Sequence, residues 1–241
     1  MLFALASSPP TIPHVVTTPE RATLPPSRNQ HRTRLPPCQQ RAAHEWRSRG
    51  AGAGRRLGRS KQLLMRDGEP LLRRAARIAL LTAPRRCVVV LGADADTLSE
   101  VLQDLDIEIL RHPDWSEGMG SSLAALRRHV QGDPALRRSL ILGCDQPALD
   151  APHLRSLLEE ADRAVSGCAT SGYSGVRGIP AVVTHTAWAD VPLQADSGLR
   201  GLFASLDMQS LGCVSAPALA LDIDTPADLA TAQQRGWVDA E

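Results

Sequence analysis

The chain has 241 residues, 43% hydrophobic and 22% charged, enough apolar material for a sizeable core and outside the compositions of a collagen, a coiled coil or a wholly disordered chain. Lys and Arg number 27 against 26 Asp and Glu, a net charge of +1, so no global field draws in nucleic acid or a membrane surface, and any polyanion must be held by a local site. Five scattered cysteines (Cys38, Cys87, Cys144, Cys168, Cys213) lack CxxC pairing or zinc-site spacing and read as reduced thiols of a cytoplasmic protein, and no apolar run approaches the ~20 residues of a membrane span.

The first 50 residues differ in character from the rest. They carry seven Arg and two acids, formally +5, whereas the remainder has 20 basic and 24 acidic residues, formally −4. They also hold eight of the 18 prolines, and beyond Met1 to Ala6 they show no sustained apolar period. Residues 1–50 are therefore expected to form an Arg/Pro-rich leader that buries too little surface to order itself, disordered or a transit peptide, ahead of a folded domain over residues 51–241.

From Arg55 onward strand-like and helical stretches alternate. Leu71 to Leu81 has a wide apolar stripe at helical spacing behind Pro70, and Cys87 to Leu91 is a continuous apolar run that suits a strand covered on both faces. Thr97 to Leu105 reads as helix, Ile107 to Leu110 as extended, Ser121 to Val130 as helix and Leu140 to Leu142 as a short buried strand. Pro152 to Ala161 follows as helix, with His153 on its surface. The pattern then predicts a strand over Ala181 to Thr184, a helix over Leu199 to Leu206, a strand over Leu219 to Ile223 and a last helix over Thr225 to Arg235. This alternation predicts an α/β fold, Rossmann-like, with a mainly parallel sheet and helices on both faces. In such folds ligands bind beyond the carboxyl ends of the strands.

Four loops carry candidate chemistry. In Gly50-Ala-Gly-Ala-Gly-Arg-Arg-Leu-Gly-Arg-Ser-Lys61 the glycines allow backbone N–H groups to face phosphate oxygens, although a flexible linker has the same look and the order Ser60-Lys61 is the reverse of a P-loop. Lys61 is the only lysine among 27 basic residues, which points to a position that needs a compact ammonium. Asp145, directly after the strand Leu140 to Leu142, either ligates a hard divalent cation or caps the turn. Around Asp222-Ile-Asp224-Thr-Pro-Ala-Asp228, helix capping accounts for Thr225, Pro226 and Asp228 but not for two carboxylates flanking Ile223. In Trp115 to Leu123, small residues permit close approach to a ligand base, while Ser121 or Ser122 also reads simply as a helix cap. The scattered histidines make a His metal site or a Ser-His triad improbable.

Taken together, these loops resemble the MobA-like nucleotidyltransferase family, most closely its molybdenum cofactor cytidylyltransferases. The family's opening motif, roughly LAAGxSxRMGxxKQLL, is similar to Ala51 to Leu64, with Gly54 at the serine position. VLGAD is Val90 to Asp94, EGMGSSL is Glu117 to Leu123, CDQP is Cys144 to Pro147, GIPAV is Gly178 to Val182 and DIDTPADL is Asp222 to Leu229. The resemblance implies transfer of CMP from CTP to molybdenum-molybdopterin, with release of pyrophosphate. By the same resemblance, Mg²⁺ would be held by Asp145 and Asp224, with Asp222 a further candidate, and Lys61 and Arg56 would hold the triphosphate beside the amides of Gly52, Ala53 and Gly54. Gly120, Ser121 and Ser122 would lie near the cytosine. Partners would be CTP, a molybdopterin-type cofactor and a recipient molybdoenzyme or its chaperone. Alternatives are transfer from GTP or to a sugar or alcohol phosphate, or an inactive binding accessory.

The sequence departs from the family just before the glycine loop, where an apolar strand is usual and Arg41-Ala-Ala-His-Glu-Trp-Arg-Ser-Arg49-Gly50 stands instead. Arginines do not lie in a buried central strand without a large desolvation cost. The first strand is therefore expected to be degraded or missing, and residues 1 to about 50 to derive from an altered reading frame.

Overall fold

The computed structural model describes residues 2–7, 57, 60–193 and 198–240. Along the chain the strands are β1 (Leu2–Ser7), β2 (Met65–Arg66), β3 (Glu69–Pro70), β4 (Arg86–Leu91), β5 (Glu108–Arg111), β6 (Arg138–Leu142), β7 (Ala169–Tyr173), β8 (Val176–Thr184) and β9 (Gly212–Ser215). The helices are α1 (Leu71–Leu80), α2 (Ala95–Glu100), α3 (Met119–Val130), α4 (Ala151–Arg163), α5 (His185–Trp188), α6 (Arg200–Ser205) and α7 (Pro226–Gln234).

Seven strands make one sheet in the order β5-β4-β1-β6-β8-β7-β9. β4 pairs parallel with β5, and β7 with β9; β1 is antiparallel to β4 and β6, and β8 to β6 and β7. Hence β4, β5, β6, β7 and β9 run one way, and β1 and β8 run the other. The sheet is mixed, and most of its pairings are antiparallel because each reversed strand sits between two of the majority direction.

The leader carries an element after all at Leu2–Ser7, which lies between β4 and β6, with Ala4 opposite both Val88 and Ile141. The segment just ahead of the glycine loop, where the first strand is expected to be missing, lies outside the described residues. The physical reason is the ladder itself. β4 and β6 are buried almost throughout, so without a strand between them their facing N–H and C=O groups would be stranded away from water. Leu2 to Ala6 is the one apolar run ahead of residue 51 that suits a central position. The rest of the proposed leader, 8–50, lies outside the described residues.

Alternate residues of β4 and β6 feed two cores. Cys87, Val89, Leu91, Leu140 and Leu142 pack with α1, α2 and α4, whereas Val88, Val90 and Ile141 pack with α3, α5 and α6. A third cluster, Leu64, Leu71, Ile223, Leu229, Ala232 and Val238, seats α7 against the start of α1. The carboxylate of Asp239 accepts the N–H groups of Asp67 and Gly68, each at 2.9 Å, and so fastens the C-terminal end onto the β2–β3 turn. Among the described residues no helix is long and apolar enough to cross a membrane.

His153 is not the surface residue expected of its helix: it is half-buried, with Nε2 2.8 Å from Ser171 Oγ on β7. His185 Nε2 likewise lies 3.0 Å from Ser139 Oγ on β6. Burial lowers the pKa of both imidazoles below the ordinary 6.5. The unfolded chain therefore binds more protons below that value, so their contribution is complete above pH 6.5 and lost as pH falls through it. The melting temperature should drop between about pH 7 and about pH 5, and His153→Gln with His185→Gln should flatten that slope. An unchanged slope in the double variant would show that other groups set it.

Candidate functional site

Three chain segments meet beyond the carboxyl end of β6. Lys61 opens a short 3-10 turn, Lys61–Leu63. The turn is anchored by buried Leu64, whose carbonyl accepts the N–H of Leu71 at 2.8 Å. Asp145 lies in the turn that leaves β6. Asp224 precedes α7, whose N-cap Thr225 forms a capping box with Asp228: Thr225 Oγ1 accepts the Asp228 N–H at 3.2 Å, and Asp228 Oδ2 accepts the Thr225 N–H at 2.8 Å. Thr225, Pro226 and Asp228 are thus the cap that the sequence suggests, and Asp224 is left to serve the site.

The Ile223 N–H donates to the Asp145 carbonyl at 3.0 Å, which locks the two acidic segments side by side. Lys61 Nζ then donates to Asp145 Oδ2 at 2.6 Å and to Asp224 Oδ1 at 2.9 Å, across sequence separations of 84 and 163 residues. The side chains of Lys61, Asp145 and Asp224 are 15%, 28% and 23% exposed, so the cluster is largely withdrawn from water yet reachable from it. Burial pulls the ammonium's pKa down, but the two carboxylates outweigh it and hold Lys61 well above its usual value. For Asp145, burial pushes the carboxyl up and Lys61 overcomes it, leaving the group below the ordinary carboxylate range.

Asp222 is brought beside this cluster but makes no hydrogen bond to Lys61. Burial, then the charges of Asp145 and Asp224, push it up to about 8 against the pull of Lys61. The expected strand Leu219 to Ile223 is a correction: Pro217–Ala220 is a 3-10 turn and residues 221–224 belong to no element. This segment is tied to the Asp145 loop instead of to a ladder, since Gln146 Nε2 donates to the Leu219 carbonyl at 3.0 Å and to that of Ile179 at 3.2 Å. Buried Gln146 is therefore the peg that holds the acidic loops together, a role that its place inside the CDQP motif signalled and that charge-based reading passes over.

Gly120, Ser121 and Ser122 lie at the N-terminus of α3, at the same end of the sheet as Asp145 but outside the Lys61 cluster. Neither serine caps α3: its N-cap is Gly118, at φ 105°, a backbone state that favours glycine. Ser121 Oγ donates back to the Gly118 carbonyl at 2.8 Å and lies 2.9 Å from Nε2 of buried His112, a contact that pins this loop to the end of β5. Gly92 is needed at the end of β4, because a Cβ there would lie 2.5 Å from the Trp115 side chain that leads into the loop. Gly52, Ala53, Gly54 and Arg56 fall outside the described residues.

Two carboxylate oxygens converging on one cation are a hard-oxygen donor pair, which suits Mg²⁺ or Mn²⁺ completed by substrate phosphates. Among the described residues no group of three His, Cys, Asp or Glu side chains forms a ready metal cage, so Asp145, Asp224 and Asp222 do not make a three-carboxylate site as they stand.

Comparison with known proteins adds a family. The model of the MobA-like NTP transferase domain matches residues 50–210. A protein of Paenarthrobacter nicotinovorans named nicotine blue oxidoreductase is 34% identical over 160 residues, 64% of this chain and 72% of its own. Two solved structures share the fold. One, from Mycobacterium sp. strain JC1, has a TM-score of 0.60 at 23% identity, over 77% of this chain and 92% of its own. The other, a nucleotidyl transferase from Methanothermobacter, has a TM-score of 0.64 at 21% identity, over 76% and 92%.

Proposed function

The chain belongs to the MobA-like NTP transferase family, and on that premise we propose that it moves a CMP group from CTP to molybdenum-molybdopterin, with a divalent cation, Mg²⁺ by preference, at Asp145 and Asp224. The observation that carries the reading is the Lys61 ammonium 2.6 and 2.9 Å from those two carboxylates. Nucleotidyl transfer between two phosphate-bearing anions asks little covalent chemistry of a protein; it asks for position and for countercharge. Lys61 supplies a compact cation toward the β- and γ-phosphates. Asp145 and Asp224 would hold the cation, which when bound neutralises charge on the reacting phosphates. Asp222, kept largely neutral at pH 7 by burial and by its acidic neighbours, adds little repulsion to the incoming anions. The Gly118–Ser122 loop faces the nucleobase in this reading, which rests the choice of cytosine on the EGMGSSL and CDQP forms.

A second reading comes from the relative named an oxidoreductase: redox chemistry at the same sheet edge. One assay separates the two. Pyrophosphate release should appear with CTP plus loaded molybdopterin and exceed that with GTP, UTP or ATP by at least tenfold. Release with GTP alone would overturn the base assignment. Redox turnover of nicotine blue with no pyrophosphate from any nucleotide would favour the second reading.

A further inference from the structure

Arg177 makes no contact with the Lys61 carboxylate cluster through any hydrogen bond among the described residues. It stands on β8 directly opposite Gly172 of β7, and β7 fixes the face to which it points. Ala169 and Tyr173 pack in the core beneath α4, and Ser171 Oγ meets His153 of that helix at 2.8 Å. Gly172, and with it Arg177, therefore belongs to the opposite face, the one covered by α3, α5 and α6. β8 runs against β6, with Ala181 paired to Ile141, so residues ahead of Ala181 extend past the end of β6, where Asp145 follows. Between them lies Gly143: a Cβ there would sit 2.6 Å from Asp145 Oδ1 and 3.5 Å from Ile179 Cδ1. Asp145 thus turns Oδ2 to Lys61 and Oδ1 to the β8 side.

At this position the Arg177 guanidinium has no hydrogen bond or ion pair among the described residues, and its Nη1 is buried without an acceptor. An arginine N–H buried without an acceptor is costly, and the cost is relieved when a ligand supplies the oxygen. Lys61 meets Asp145 Oδ2, while Arg177 stands on β8, the strand toward which Oδ1 turns; in-line displacement requires the attacking and departing groups to lie on opposite sides of the phosphorus.

We propose that Arg177 holds the phosphate of the acceptor substrate, gripping two of its oxygens while a third attacks the α-phosphorus of the nucleotide. This inference rests on the nucleotidyl-transfer reading above. The acceptor oxygen forms a bond to the α-phosphorus, the bond from that phosphorus to the β-phosphate oxygen breaks, and pyrophosphate leaves with the electron pair. An ionised phosphate needs no proton removed, so Arg177 has only to position it and lessen the repulsion between two anions.

The test is Arg177→Gln, with Arg177→Met as a second variant and melting curves to confirm folding. CTP affinity by calorimetry should stay within about twofold of the parent, and the acceptor KM for loaded molybdopterin should rise about tenfold or more, the loss of one bidentate anion contact. Inorganic phosphate, titrated into the parent and the variants with saturating CTP and Ca²⁺, should bind the parent and bind the variants at least tenfold more weakly. An unchanged acceptor KM, or equal phosphate affinity in parent and variant, would overturn the assignment, as would a tenfold loss of CTP affinity with normal acceptor KM. A parent that releases no pyrophosphate yet loses phosphate binding on substitution would sink the transfer reading while leaving the anion site standing.

Discussion

Asp145→Asn should lower the rate of pyrophosphate release by two or more orders of magnitude while leaving the fold in place. The variant keeps the side-chain volume and removes the charge that faces Lys61 at 2.6 Å. In transfer between phosphates most of the rate comes from fixed charges at the reacting centre, and losing one such group costs roughly 10²-fold to 10³-fold. Folding is spared for two reasons. The tie between the acidic segments runs through the Asp145 carbonyl, which accepts from Ile223, and Lys61 retains Asp224 at 2.9 Å. Rates measured at saturating nucleotide and cation, beside a melting curve, separate the two effects. Turnover within a few-fold of the parent would remove Asp145 from the cation-holding role, whatever the motif around it suggests.

The parts of this molecule that were legible in its sequence are those in which local pattern and tertiary use coincide. Leu71–Leu80, Arg86–Leu91, Arg138–Leu142 and Ala151–Arg163 carry apolar residues at regular spacing, and these pack into the clusters described above. The capping box at Thr225 is local chemistry, and the solitary lysine is a compositional signal that the geometry takes up. The elements that escaped lack such coincidence. β7 reads Ala-Thr-Ser-Gly-Tyr, with little apolar character, because its inward polar groups are satisfied by specific partners: Thr170 Oγ1 donates to the Gly178 carbonyl and Ser171 Oγ to that of Pro180, each at 2.7 Å. Leu219, Leu221 and Ile223 alternate as a strand would, yet Leu219 and Ile223 are buried in different clusters, with the chain turning between them. β1 escaped because its pairing is wholly non-local. Five apolar residues, Leu2 to Ala6, far ahead of the glycine loop carry no sign of which gap in the sheet they fill, or in which direction. Gln146 and Arg177 are legible only once burial is known, since nothing in a sequence marks a polar side chain as lacking water.

Lys61→Met should weaken CTP binding at least tenfold and should also change how the site treats metal ions. In the parent the ammonium lies between Asp145 Oδ2 and Asp224 Oδ1, so a divalent cation seeking those oxygens must first displace it. Nucleotide phosphates give the displaced ammonium a new partner, which predicts that nucleotide and cation bind cooperatively in the parent. Methionine keeps the length of the stem and removes the competitor. Mn²⁺ affinity without nucleotide, followed by electron paramagnetic resonance, should therefore rise about tenfold or more in the variant, because two or three clustered acids are left without a countercharge. The same uncompensated charge should destabilise the metal-free variant on the order of 3 kcal/mol, roughly a 10 °C loss in melting temperature for a domain of this size, with most of that recovered in millimolar Mn²⁺. Equal Mn²⁺ affinity in parent and variant would mean that the ammonium does not stand where the cation binds. Unchanged CTP affinity would separate Lys61 from the triphosphate.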